Sequence, residues 1–192
     1  MNEDYKKIKR ILADLRSEYA DLCSNDVMDP NTPITERDIV AEIYYRLKLF
    51  CKKKKLYPHT EIKPASRNLS IDELKKLPRI DVVILKNNGH LSWLSAATKI
   101  QNRYKKGMVE ARFSSVPINF FHTAIEVKIQ SNVRSAKKDL DTLSGIMKKK
   151  KSCNCFMVLL NARGPRKDHE KIIKYAQEKK IHLIEYTFNR HF

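Results

Sequence analysis

Apolar residues recur along the chain at two different periods. Over residues 3–23, Tyr5, Ile8, Leu12, Leu15, Tyr19 and Leu22 stand three and four residues apart, the spacing of an amphipathic helix. The stripe is expected to pack on the rest of the chain, with a homodimer contact as the other reading. Ser24–Pro33 carries Asn, Asp and two prolines and is expected to be a connector. A second helix follows, with Val40, Ile43, Leu47 and Phe50 as its buried stripe. Thr35 or Thr32 caps it, Glu36 and Asp38 suit its positive end, and Lys52–Lys55 closes it. Tyr57–Lys63 is expected to be a first strand. Pro64–Pro78 is expected to be a loop with a helical turn around Ile71–Leu77. Ile80–Leu85 is the next strand, ended by the turn chemistry of Asn87-Asn88-Gly89. The stretch 90–118 has the weakest pattern, with a helix expected over Ser95–Lys106. A strand over 123–130 comes next, then a helix over 134–150 striped by Ala136, Leu140, Leu143 and Met147. Strand Cys155–Leu160, helix Arg166–Lys180 and strand His182–Phe188 complete the chain.

Composition narrows the partners. The chain has 192 residues, 42% of them hydrophobic, enough for one domain with a real core. Residues 1–32 form a helical arm and connector, and 33–192 the main domain, with an insertion at about 90–118. Lys and Arg number 39 against 22 Asp and Glu, a formal charge of +17. A protein that basic is expected to meet a polyanion, nucleic acid first. No apolar run approaches the roughly 18 residues of a membrane span. The N-terminus has no apolar signal core, so a cytoplasmic location is expected. Four cysteines show no CxxC pair and are expected to be reduced structural thiols.

Two strands carry charges where apolar residues are expected. In Ala124-Ile125-Glu126-Val127-Lys128-Ile129, Glu126 and Lys128 share one face of the strand. Ile80-Asp81-Val82-Val83-Ile84-Leu85 holds a single Asp near its start. Charges in such strands are paired or bind a metal. Side by side, the two strands would make an acidic nest with one lysine, suited to holding a divalent cation against a phosphate. The competing reading is a cross-strand salt bridge on an edge strand.

Asp81 followed by Glu126-x-Lys128, after a helix that bears an acid, resembles the PD-(D/E)xK nucleases, the restriction-endonuclease-like superfamily that includes resolvases and small defence nucleases. The resemblance covers roughly residues 33–188 and implies an α/β fold with an αβββαβ core, a central mixed sheet flanked by helices. The sequence departs from the family motif at Ile80, which stands where proline precedes the Asp; Pro78 lies two residues earlier. The 45 residues from Asp81 to Glu126 exceed the spacing of minimal members.

The resemblance implies a metal-dependent nuclease, DNA ahead of RNA as substrate, with Mg²⁺ as cofactor and Mn²⁺ as a substitute. It assigns Asp81, Glu126 and the Val127 carbonyl to the metal, and Lys128 to orienting or deprotonating the attacking water. A helix acid completes the set. At about 100° per residue, Glu36 falls in the middle of the apolar stripe while Glu42 falls about 120° off it, beside Arg46. Glu36 is therefore chosen over Glu42. Gln130 shares the Glu126/Lys128 face, Glu61 is a candidate fourth acid, and His122 is read as structural. Arg37 is read as a surface residue, with phosphate contact as the other role. Lys52–Lys55, Lys148–Lys151 and the basic 99–106 segment are expected to track phosphates. Lys99, Arg103, Lys137, Lys138, Lys148 and Lys149 are the named candidates. The alternatives are a non-catalytic nucleic-acid-binding module on the same fold, and an assembly protein that uses its N-terminal helix.

Overall fold

The computed structural model describes residues 3–24, 35–65, 70–91, 93–94, 115–129, 133–161 and 167–187. In chain order its elements are α1 (Glu3–Ser24), α2 (Glu36–Cys51), β1 (Leu56–Ala65), α3 (Ile71–Lys76) and β2 (Ile80–Lys86). Then come β3 (Ser115–Pro117), a 3-10 turn (Ile118–Phe120), β4 (Phe121–Ile129), α4 (Val133–Lys149), β5 (Asn154–Asn161), α5 (Lys167–Glu178) and β6 (His182–Thr187). The strands form one mixed sheet in the order β3-β1-β2-β4-β5-β6. Strands β1, β2 and β4 pair antiparallel, and β4, β5 and β6 pair parallel. The parallel pairs are joined by α4 and α5, as parallel strands require a crossover.

Alternation along the central strands splits the core into two layers. Val82, Ile84, Ile125, Val127, Phe156 and Val158 face α1 and α2. Val83, Leu85, Ala124, Met157 and Leu159 face α4 and α5. This is the two-residue strand period applied to a sheet covered on both sides. It puts Glu126 and Lys128, which share the parity of Ala124, in the layer of α4. Strand β4 lies between β2 and β5, so the edge-strand reading of Glu126 and Lys128 does not hold.

Helix α2 starts where its capping box starts. The Thr35 hydroxyl accepts from the Asp38 N–H at 3.4 Å, and the Asp38 carboxylate accepts from the Thr35 N–H at 2.7 Å. That fixes Glu36 as the first helical residue. Its buried stripe is Ile39, Ile43, Leu47 and Cys51, with the expected Val40 and Phe50 only partly buried. Steps of four suit a helix pressed against one strip of sheet, and Glu36 lies in line with that stripe. On α1, Ile8, Leu12 and Leu15 are fully buried in the same layer, and Tyr5 stacks on Phe156 at 5.1 Å between centroids. This part of the stripe is used within the chain; the side chains of Tyr19 and Leu22 lie outside the described residues.

Two expectations change around β2 and β3. Residues 87–91 are helical rather than a turn. Gly89 is there for close approach, since a Cβ built on it would meet the Cβ of Phe120 at 2.4 Å. Ser115–Val116–Pro117, inside the stretch expected to be an insertion, adds a short parallel edge strand to β1. The helix expected over Ser95–Lys106 and the connector Asn25–Pro33 lie outside the described residues. Among the described residues Cys51, Cys153 and Cys155 are free and buried. No helix among them is long and apolar enough to cross a membrane.

Candidate active site

The β2/β4 register builds the site. Val82 pairs with Ile125 and Val83 with Ala124, and one more step along both strands sets Asp81 against Glu126. The two carboxyl groups lie close enough for each to act on the other's pKa. Asp81 Oδ2 also accepts from the backbone N–H of Val127 at 2.7 Å, so the Asp side chain holds the β4 backbone directly. Glu126 is 3% exposed. Its pKa is raised well above the usual carboxylate range, first by burial, then by the adjacent Asp81. Burial raises Asp81 as well, against the pull of the Val127 N–H.

Lys128 lies two residues along from Glu126, and its ammonium is contacted from both layers. Nζ is 3.1 Å from Glu36 Oε1, on the first turn of α2, and 3.4 Å from Asp139 Oδ2, on α4. Because α2 and α4 cover opposite faces of the sheet, Nζ must reach the end of the sheet where the two layers meet. Burial works against the charge of Lys128. The Asp139 and Glu36 carboxylates outweigh that cost and push its pKa above the usual lysine value. Lys128 is therefore a fixed ammonium at neutral pH.

Asp139 is the member that sequence reasoning missed. Burial raises its pKa and Lys128 opposes the shift. Its Oδ2 has no partner that meets hydrogen-bond geometry, so the contact with Lys128 is an ion pair at 3.4 Å. A signal was present: Asp139 lies three residues after Ala136 and four before Leu143, on the border of the α4 stripe. The neighbouring Lys137, Lys138 and Asp141 disguised it as one more surface charge.

The remaining candidates separate clearly. Glu42 pairs with Arg46 at 2.7 Å and takes no part. Glu61 lies between the pairs Thr60–Val82 and Ile62–Ile80, beside Asp81 in the sheet. Its left-handed φ of 56° breaks the ladder there, and its carboxylate meets Arg79 at 3.4 Å in solvent. His122 is buried, with Nδ1 2.9 Å from Thr123 Oγ1 and Nε2 3.5 Å from Asp4 Oδ2, where it ties α1 to the sheet. Lys137 and Lys138 adjoin Asp139 on α4. Lys148 and Lys149 are exposed at its far end, about 14 Å along the helix axis. Arg37 is exposed. Lys99, Arg103 and Gln130 lie outside the described residues.

Four carboxyl groups thus surround one ammonium. Among the described residues no three His, Cys, Asp or Glu side chains converge into a complete metal-binding group. The adjacent pair Asp81/Glu126 nevertheless suits a small divalent cation, which needs only one or two protein carboxylates beside water and phosphate oxygens. No family model matches the chain, and no curated protein or solved structure matches it.

Proposed function

We propose that the protein is a metal-dependent nuclease that hydrolyses phosphodiester bonds, with DNA ahead of RNA as substrate. The observation that carries the reading is the pair of adjacent carboxyls that the β2/β4 register sets together at Asp81 and Glu126, with the ion-paired ammonium of Lys128 beside them. A dead site has little reason to bury this many charges, because each costs desolvation energy. The antiparallel β1-β2-β4 sheet followed by the parallel β4-β5-β6 unit supports a restriction-endonuclease-like core, and the charge of +17 supports a polyanionic substrate.

In this reading Asp81 and Glu126 hold a Mg²⁺ or Mn²⁺ ion. When bound, the ion lowers the pKa of the attacking water and offsets charge on the phosphate. Asp81 also clamps the Val127 N–H, which keeps β2 and β4 in register through the reaction. Lys128 supplies a positive charge aimed at the phosphate oxygens. Of the two roles expected for it, orienting fits and proton abstraction does not, because Glu36 and Asp139 hold it charged. Glu36 and Asp139 position that ammonium from opposite layers.

Purified protein incubated with single-stranded and duplex DNA and with RNA, with and without Mg²⁺ or Mn²⁺, tests the reading. Cleavage that needs the ion and disappears with Lys128→Ala is expected. No cleavage of any substrate, or cleavage indifferent to Lys128→Ala, would sink it.

A further inference from the structure

An open cleft of about 880 Å³ lies between the end of α3 and the first three turns of α4, its wall running up to Lys138, the neighbour of Asp139. Lys76 and Pro78 form one wall, and Arg134, Lys137, Lys138 and Asp141 the other. The four cations have no ion-pair partner among the described residues. The single acid is already engaged: Asp141 is 2.7 Å from Lys179 Nζ and accepts from the Tyr175 hydroxyl at 2.9 Å. Lys179 first, then Tyr175, draws its pKa below the usual range, so it stays a paired carboxylate. What faces the opening is net positive charge.

The two walls also lead to the site. Pro78 precedes Asp81 by three residues, and Lys138 is followed directly by Asp139, whose carboxylate contacts Lys128 at 3.4 Å. Arg134, Lys137 and Lys138 stand at i, i+3 and i+4, which places them on one face of α4. They spread over about 6 Å of helix axis, and Lys76 widens the seat from across the cleft. A lone phosphate needs no such spread, whereas a strand that presents a charge at every nucleotide does. Lys137 is further fixed over the Tyr175 ring, with Nζ 4.7 Å from its centroid.

We infer that this cleft seats the phosphates that flank the reacting phosphodiester, so the protein takes a polynucleotide chain that continues past the α4 side of the site. The inference rests on the nuclease reading for its substrate, and its test is separable from that reading. Binding of a mixed-sequence DNA of about 20 nucleotides, single-stranded and duplex, is measured by fluorescence anisotropy across a salt series in the Lys128→Ala background. Adding Arg134→Ala, Lys137→Ala and Lys138→Ala together is expected to weaken binding at least about tenfold. It is also expected to cut the slope of log K against log salt by about 2 to 3. Alanine is a strong helix former, so α4 is retained; should that triple variant melt early, the glutamines Lys137→Gln and Lys138→Gln give the same reading with a smaller slope change. Lys6→Ala, Lys7→Ala and Lys9→Ala together, on the exposed face of α1, serve as the equal-charge control and are expected to change affinity less than about threefold. Equal losses in the two triples, unchanged affinity in the cleft triple, or no DNA binding at all would overturn the inference. Failure of the nuclease reading appears elsewhere, as absent cleavage by the protein that keeps Lys128.

Discussion

Two lysines are largely buried in the same sheet, and they end in opposite situations. Lys63 on β1 is 6% exposed and donates to the carbonyls of Leu74 and Lys75, both at 3.0 Å. Those carbonyls belong to the last turn of α3, which carries negative partial charge; that of Leu74 also accepts from the Leu77 N–H at 3.4 Å. Lys63 thus closes a structural account. Lys128 on β4 meets carboxylates instead, and they outnumber it. Glu126 and Asp139 are left with raised pKa values, and the Asp139 Oδ2 lacks a hydrogen bond. A buried charge that completes a helix end belongs to the fold; a buried charge in an excess of acid marks a site whose remaining positive charge arrives with the substrate complex.

The contrast is broken most sharply by removing each lysine. Lys128→Ala is expected to lower cleavage by about 10² to 10³-fold, the cost of losing one aimed donor, while DNA binding stays within about threefold. Lys63→Ala is expected to leave the Lys75 carbonyl without the Lys63 donor and the Leu74 carbonyl with only the Leu77 N–H, at about 1–2 kcal/mol, and to lower the thermal midpoint by about 2–8 °C. Cleavage per folded molecule is expected to persist. Loss of activity in folded Lys63→Ala comparable to that in Lys128→Ala would erase the distinction.

A smaller effect tests the excess of acid. The raised pKa of Glu126 means that the folded protein keeps a proton which the unfolded chain releases. Stability therefore falls as pH rises from the ordinary carboxylate range through the folded pKa. Glu126→Gln removes that penalty, so calorimetry at neutral pH is expected to show a midpoint a few degrees higher. The gain should shrink as pH falls toward the unfolded carboxyl pKa, and ion-dependent cleavage should be lost. A lower midpoint at neutral pH would mean that Glu126 stabilises the fold as an ordinary ion pair.

A last effect, confined to acid pH, concerns a part-buried base with no acid near it among the described residues. His59 touches His90 at 3.0 Å and Trp93 at 4.7 Å between centroids. Burial first, then the charge of His90, lowers its pKa to about 4. The unfolded chain takes the proton first, so stability is full above about 6.5 and is lost as pH falls from there toward 4. His59→Phe keeps the ring and is expected to recover about 2 kcal/mol of the loss at the acid end. An unchanged acid limb would show that His59 is more solvated than its packing implies.

How much of this was legible depends on the range of the interaction. The strands of β2 and β4 were legible because their apolar runs are local, and the misplaced charges stood out against them. Glu36 was legible from a helix wheel, since the apolar stripe through Ile43 and Leu47 set the phase of α2. Asp139 was not, because its meaning depends on α4 packing over β4, a contact between elements that periodicity does not contain. The helical turn at 87–91 was hidden for a similar reason: Asn-Asn-Gly chemistry favours a turn locally, and Phe120, thirty residues on, overrides it by packing against Gly89. Short β3 carries too few residues to show a period at all.

In the nuclease reading proposed above, Asp81 and Glu126 form half of a cation site and not a closed pair of carboxyls. Anomalous diffraction from crystals soaked in Mn²⁺ tests it most directly. A Mn²⁺ peak between the two carboxylates, lost in Asp81→Asn, is expected. Crystals with no peak between them at saturating Mn²⁺ would contradict the nuclease reading.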